Sequence, residues 1–277
     1  MTLILAAGCE EKPLPSDPEN NENGGGQKDP PEIVDPPKDV PLHEKFTEDF
    51  SDTASEFFTF NYRTTRDDFR YFSGFPSLSE KKTKILMLRI DPSDAAGAGR
   101  GPEIISKDHT SYGTYSTRLK LPDIRKVQPN IGGVVGYSVY DNDERGLIEI
   151  YFEWLIANPA YFNVGIRTGD EAEPDETGKT IDLSAMLSGF DASARFYTYG
   201  FDWSQDHVSW WILHPDTGEK IVVWDLGEGI PAAPARYKTT FWHSKIKPAV
   251  NIPTSVEAPK YPFELEVDRM TYEPFDE

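Results

Sequence analysis

Within residues 146–155, GLIEIYFEWL, the stretch 148–154 alternates without a break: Ile148, Ile150, Phe152 and Trp154 are apolar, and Glu149, Tyr151 and Glu153 fall between them. Successive side chains of a strand point to opposite faces, so a period of two over this length reads as a half-buried β-strand. One face is greasy. The other carries two carboxylates on either side of a phenol, which is an unusual thing to place on an otherwise buried strand.

The rest of the chain is built in the same way. TKILMLRI, YGTYSTRLKL, GVVGYSVY, AYFNVGIRT, FYTYGFDW, HVSWWIL, KIVVWDL and FELEVDRMTY are short runs rich in β-branched and aromatic residues, punctuated by Gly, Pro, Asp and Asn. Helix signals are nearly absent, and DLSAMLSGF is expected to form only a turn or two behind its Asp. No fixed-period repeat is present, which weighs against propellers and solenoids. Many strands and few helices predict an all-β fold, two antiparallel sheets packed as a jelly-roll sandwich.

The sandwich does not begin at the N-terminus. Residues 10–44 hold eight prolines, Gly24-Gly25-Gly26, ten acids and three lysines. Such a segment buries too little apolar surface to offset its ordering entropy, and it reads as a disordered spacer ahead of one domain over 45–277. A net charge of −19 argues against nucleic acid as a partner, because phosphate binding rests on Lys and Arg. The single cysteine, Cys9, leaves no internal disulfide and no Cys-rich metal site. It closes the run Leu-Ala-Ala-Gly-Cys, which resembles the lipobox of bacterial lipoproteins, with residues 1–9 as a truncated signal whose Cys9 would be lipidated. The acids after Cys9 resemble the export tag of Bacteroidetes surface lipoproteins. The expected location is therefore extracytoplasmic, lipid-anchored to the bacterial outer membrane and exposed at the cell surface.

Two carboxylates flanking a groove are the working parts of most glycosidases. Glu-x-x-x-Glu on a solvated strand face is common, however, and the spacing alone favours a plain exposed face. The neighbouring segments change that balance. EDFSD, GPEIISKDHTSYGTYSTRLKLP, GVVGYSVYDND, FYTYGFDWSQDHVSWWI, GIPAAPARYKTTFW and LEVDRMTYEP resemble, in order, segments of glycoside hydrolase family 16, the laminarinase- and lichenase-like jelly rolls. The resemblance covers most of residues 46–277. It implies a retaining endo-glycosidase acting on an extracellular polysaccharide, with Glu149 as nucleophile and Glu153 as acid/base. It also marks a departure: the family strand reads E-x-D-x-E, and here Tyr151 stands at the central aspartate, while Tyr197 replaces a family histidine.

A central carboxylate orients its neighbours and, by like-charge repulsion, helps keep one of them protonated near neutral pH. A phenol supplies no such charge, though its hydroxyl is placed to donate to Glu149, and its ring is large enough to fill the groove where a sugar would sit. Tyr151 is thus expected to weaken hydrolysis, and an aspartate there to restore it. The alternative to a divergent hydrolase is a sandwich of the same build that binds glycans without cutting them.

Around this strand, Trp242 aligns with a groove-lining tryptophan of the family, to stack on sugar or to pack in the core. Asn163 and Tyr161 share a face expected to continue that of Glu149 and Glu153, and Arg118 resembles a family arginine near the groove. Trp154 and Trp203 read as core, and of the adjacent Trp210 and Trp211 only one can face the sandwich interior. No cofactor is required. The resemblance does carry a structural calcium, for which Asp268 matches the family aspartate.

Overall fold

The computed structural model describes residues 42–51, 55–62, 70–73, 84–92, 101–144, 146–243 and 257–275. Cys9 and nearly all of the 10–44 spacer lie outside them. The described residues form an all-β sandwich of two antiparallel sheets. One has the order β10 (Pro174–Asp182), β9 (Tyr161–Gly169), β8 (Gly146–Leu155), β7 (Gly133–Asp143), β14 (Arg236–His243), β5 (Pro102–Ser106), β2 (Phe58–Tyr62). The other runs β13 (Lys220–Leu226), β12 (Val208–Leu213), β11 (Tyr197–Trp203), β6 (Gly113–Lys120), β15 (Phe263–Pro274), β4 (Lys84–Ile90), β3 (Arg70–Ser73), with β1 (Phe46–Glu48) paired to β15. The jelly-roll class read from the sequence is the class observed.

Alternation decides what each strand buries. On β8, Ile150, Phe152 and Trp154 are fully buried between the sheets. Phe152 stacks between Tyr137 of β7 at 5.4 Å and Trp154 at 5.5 Å, and Trp154 meets Tyr199 of the opposite sheet edge-on at 4.7 Å. Aromatic edges and faces packed in this way join the two layers. Trp203 is also fully buried, its indole N–H donating to the Pro231 carbonyl. Trp210 faces the interior and donates to the Tyr151 carbonyl at 3.2 Å, tying the second sheet to the middle of β8. Trp211 points to the outer face yet is only 4% exposed, because it lies over Gly200 with the Lys220 ammonium 4.4 Å above its ring.

The short helical signal resolves as one 3₁₀ turn, Leu183–Ala185, capped by Asp182 accepting from the Ser184 amide. The sequence reading passed over β10. PDETGKTID is polar on both faces and looks like a loop, but its nine residues pair in register with β9. That strand brings a carboxylate to the site that no local pattern announced.

Candidate active site

The outer face of the seven-stranded sheet is crossed by a cleft of about 220 Å³. Its lining comes from adjacent strands: Trp242 and Lys238 from β14, Gly136, Ser138 and Tyr140 from β7, Glu149, Tyr151 and Glu153 from β8, and Arg167 from β9. The β8 triplet thus sits in the cleft floor, on the face that alternation assigns it. Glu149 and Glu153 are each 14% exposed at the side chain.

The cross-strand register sets their partners. Glu149 lies opposite Arg167, Tyr151 opposite Gly165 and Glu153 opposite Asn163. The Arg167 guanidinium is 3.0 Å from Glu149 Oε2, 3.9 Å from Glu153 Oε2 and 3.1 Å from Glu176 Oε1 of β10. One guanidinium therefore reaches all three carboxylates. Burial opposes its charge, yet Glu149 and Glu153 hold Arg167 protonated well past its ordinary range. Burial is also the largest influence on Glu153. Arg167 opposes it, Glu149 and Glu176 add to it, and the carboxyl is raised from 4.5 to about 7.

Tyr151 takes a position that the sequence did not foretell. Its ring is 3% exposed and lies under Arg167, whose guanidinium carbon is 4.0 Å from the ring centroid. Beneath the phenol are two glycines, and a Cβ at Gly165 or Gly178 would come within 2.7 Å of its hydroxyl oxygen. The ring runs across β9 towards β10, and the hydroxyl donates to Glu176 Oε1 at 2.5 Å. Burial and the Glu176 charge, against Arg167, raise its pKa and keep it a donor. Both expectations for this residue are corrected. The phenol donates to Glu176 and not to Glu149, and its ring is tucked beneath Arg167 along a glycine track instead of standing in the groove.

The other predicted contacts divide. Trp242 is half-buried and lies over Gly136, whose register partner is Glu153, so its ring borders the acid/base candidate. Asn163 shares the face of Glu153, but its side-chain oxygen accepts from Thr180 at 2.8 Å and it does not line the cleft. Tyr161, one further step along that face, is outside the lining as well. Arg118 is a correction. It belongs to β6 in the opposite sheet, where its guanidinium donates to Asp268 at 2.7 Å and lies 4.9 Å from the Phe196 centroid.

That pair also bears on calcium. The Asp268 carboxylate is buried and already neutralised by Arg118. Among the described residues no group of three or more His, Cys, Asp or Glu is placed to hold a metal ion. A calcium held by Asp268 and backbone oxygens, as the resemblance implies, would share that carboxylate with the Arg118 guanidinium.

Arg167, Glu176 and Lys238 were missed. Lys238 is 6% exposed, 3.4 Å from the Tyr140 centroid and 3.7 Å from a Glu103 carboxylate oxygen. Arg167 had a usable signal, since it falls on the same alternate positions as Tyr161 and Asn163. Glu176 had none, lying in an acidic stretch that reads as a turn.

Comparison with known proteins bears on the family and the fold. Residues 65–249 match the family Glycosyl hydrolases family 16. A beta-glucanase of Acetivibrio thermocellus is 29% identical over 147 residues, 52% of this chain and 37% of that protein. A xylanase/beta-glucanase of Ruminococcus flavefaciens is 26% identical over 144 residues, 51% of this chain and 16% of that one. Both alignments thus span well under half of the relatives' length. Among solved structures, a beta-1,3-1,4-glucanase (lichenase) from a mouse hindgut metagenome superposes with a TM-score of 0.60 at 19% identity, covering 84% of this chain and all of that one.

Proposed function

The chain belongs to glycosyl hydrolase family 16, with the family's domain over residues 65–249, and from that premise we propose that it is a retaining endo-glycosidase acting on a β-glucan. Glu149 is the nucleophile and Glu153 the acid/base. One observation carries the assignment: the two carboxylates share a cleft but have different environments. Glu153 is raised to about 7 by burial, so near neutral pH it has a proton to give. Glu149 is paired with the Arg167 guanidinium at 3.0 Å. An acid that keeps its proton beside a carboxylate paired with a cation supports reading the first as donor and the second as attacking group.

In the reaction so assigned, Glu153 protonates the glycosidic oxygen while Glu149 attacks the anomeric carbon, forming a covalent glycosyl-enzyme. Water, losing its proton to the Glu153 carboxylate, then displaces Glu149, and the configuration is retained. The half-buried Trp242 offers a flat face beside Glu153 for a sugar ring. The β-glucan substrate is supported by the names of the relatives, both glucanases. Lipidation of Cys9 would hold this domain at the cell surface on the 10–44 spacer. A Cys9→Ala form that stays membrane-bound would remove that part of the proposal.

The test is release of reducing sugar from lichenan, laminarin and barley glucan, repeated with Glu149→Gln. The expected loss for the variant is 10³-fold or more, on the order expected when a covalent nucleophile is removed. Retardation of the wild type on a glucan affinity gel with no hydrolysis would make this a binding domain instead.

A further inference from the structure

Arg167 of β9 sets a positive charge over Tyr151, the residue at the position where the family strand has an aspartate. Its guanidinium is not a loose surface group. It is stacked 4.0 Å over Tyr151, bonded through Nη1 to Glu149 at 3.0 Å, and bonded through Nε to Glu176 at 3.2 Å. The charged and titratable groups facing it are Glu149, Tyr151 and Glu153 from β8 and Glu176 from β10. Glu171, Tyr140 and Lys238 line the same cleft. The buried phenol, with its hydroxyl over Gly165 and Gly178, is a platform that fixes a long side chain at little further entropic cost.

We propose that Arg167 is the positioning residue of this active site: it replaces the missing central acid in holding Glu149 and Glu153 relative to each other, and Glu176 tunes how strongly it does so. The proposal rests on the hydrolase reading of the two glutamates. A central acid would favour the protonated form of Glu153 by repulsion. Arg167 has the opposite sign and favours the ionised form, so the proton on Glu153 is retained only because burial, Glu149 and Glu176 act against the arginine. Glu176, bound at once to Arg167 and to the Tyr151 hydroxyl, draws part of that positive charge away from the cleft floor. A carboxylate from the next strand but one thus does, through Arg167, some of what the family aspartate does directly.

The experiment follows the Glu153 carboxyl by ¹³C NMR titration in wild type, Arg167→Met, Arg167→Lys and Glu176→Gln, beside kcat/KM against pH on lichenan. Removing a cation within about 4–6 Å should raise the Glu153 midpoint by about one unit or more, and lysine should restore most of it. Glu176→Gln, at a side chain 44% exposed whose amide oxygen can still accept from the Tyr151 hydroxyl, should move the midpoint down. The alkaline limb of kcat/KM should follow each shift. If Arg167→Met does not fold, Glu176→Gln alone decides. A Glu153 midpoint unmoved in the variants overturns the proposal, even if the wild type hydrolyses lichenan. Shifts in the expected directions in a wild type that cleaves no glucan uphold Arg167 and defeat the hydrolase reading.

Discussion

Glu153 binds its proton more tightly in the fold than in the unfolded chain, about 7 against 4.5, with burial the main cause. Between those values the native state holds more protons than the unfolded state, so the free energy of unfolding falls as pH rises and levels off above about 7. A full separation of that size corresponds to about 3 kcal/mol. Glu153→Gln keeps the shape and deletes the titration. Urea unfolding at pH 5, 6, 7 and 8 should show a shallower slope for the variant, and at pH 8 a gain on the order of 1–3 kcal/mol over wild type. Equal slopes would put the titrating group elsewhere. At this scale the face of the glutamates was legible, because alternation alone assigns it, whereas Trp242 was legible only through the family resemblance. The face of Arg167 could be read by the same alternation, but not its contact with Glu149, which depends on the β8–β9 register set by loop length and packing.

The element that makes the site peculiar is the three-strand unit β8–β9–β10. Tyr151 faces Gly165, and Gly165 faces Gly178. At Gly178 a new Cβ would first meet the Tyr151 hydroxyl at 2.7 Å and then the Val164 carbonyl at 3.3 Å, whereas at Gly165 it would also strike the Thr177 carbonyl at 2.6 Å. Gly178→Ala is therefore the cleaner probe. It should destabilise by about 1–3 kcal/mol through overpacking. Tyr151→Phe removes the clashing atom, so the double variant should lose less than the sum of the singles by about 1 kcal/mol. Strict additivity in thermal melts would mean the hydroxyl is not over Gly178. The same packing revises what an aspartate at 151 would do: it would empty a buried aromatic site, at about 3 kcal/mol or more, before any gain in chemistry. The sequence could not show this unit because β10 is an edge strand with a single buried side chain, Ile181, and its pairing is non-local. The strands of the sandwich interior, such as β8 and β11, carry their own apolar alternation and were readable without partners.

On the scale of the whole molecule, charge decides which polysaccharides can approach. The 10–44 segment, with ten acids and three lysines, accounts for −7 of the −19, and the remainder falls on residues 45–277. The cations of the cleft do not reverse this field locally. Arg167 is shared among Glu149, Glu153 and Glu176, and Lys238 lies 3.7 Å from Glu103. A neutral β-glucan meets no long-range barrier at such a surface. A polyanionic glycan is repelled, with a range of about 10 Å at 0.1 M salt and about 30 Å at 0.01 M. On lichenan, kcat/KM should thus be nearly flat from 10 to 500 mM NaCl. On a carboxymethylated preparation of the same glucan it should be lower at 10 mM and rise with salt, the opposite of a cationic cleft steering an acidic substrate. The paired substrates share linkage and backbone, so the difference between their salt slopes reports charge and not fit. A carboxymethylated glucan turned over faster at low salt would mean that Arg167 and Lys238 leave their partners to bind it, and the neutral-substrate assignment would fail.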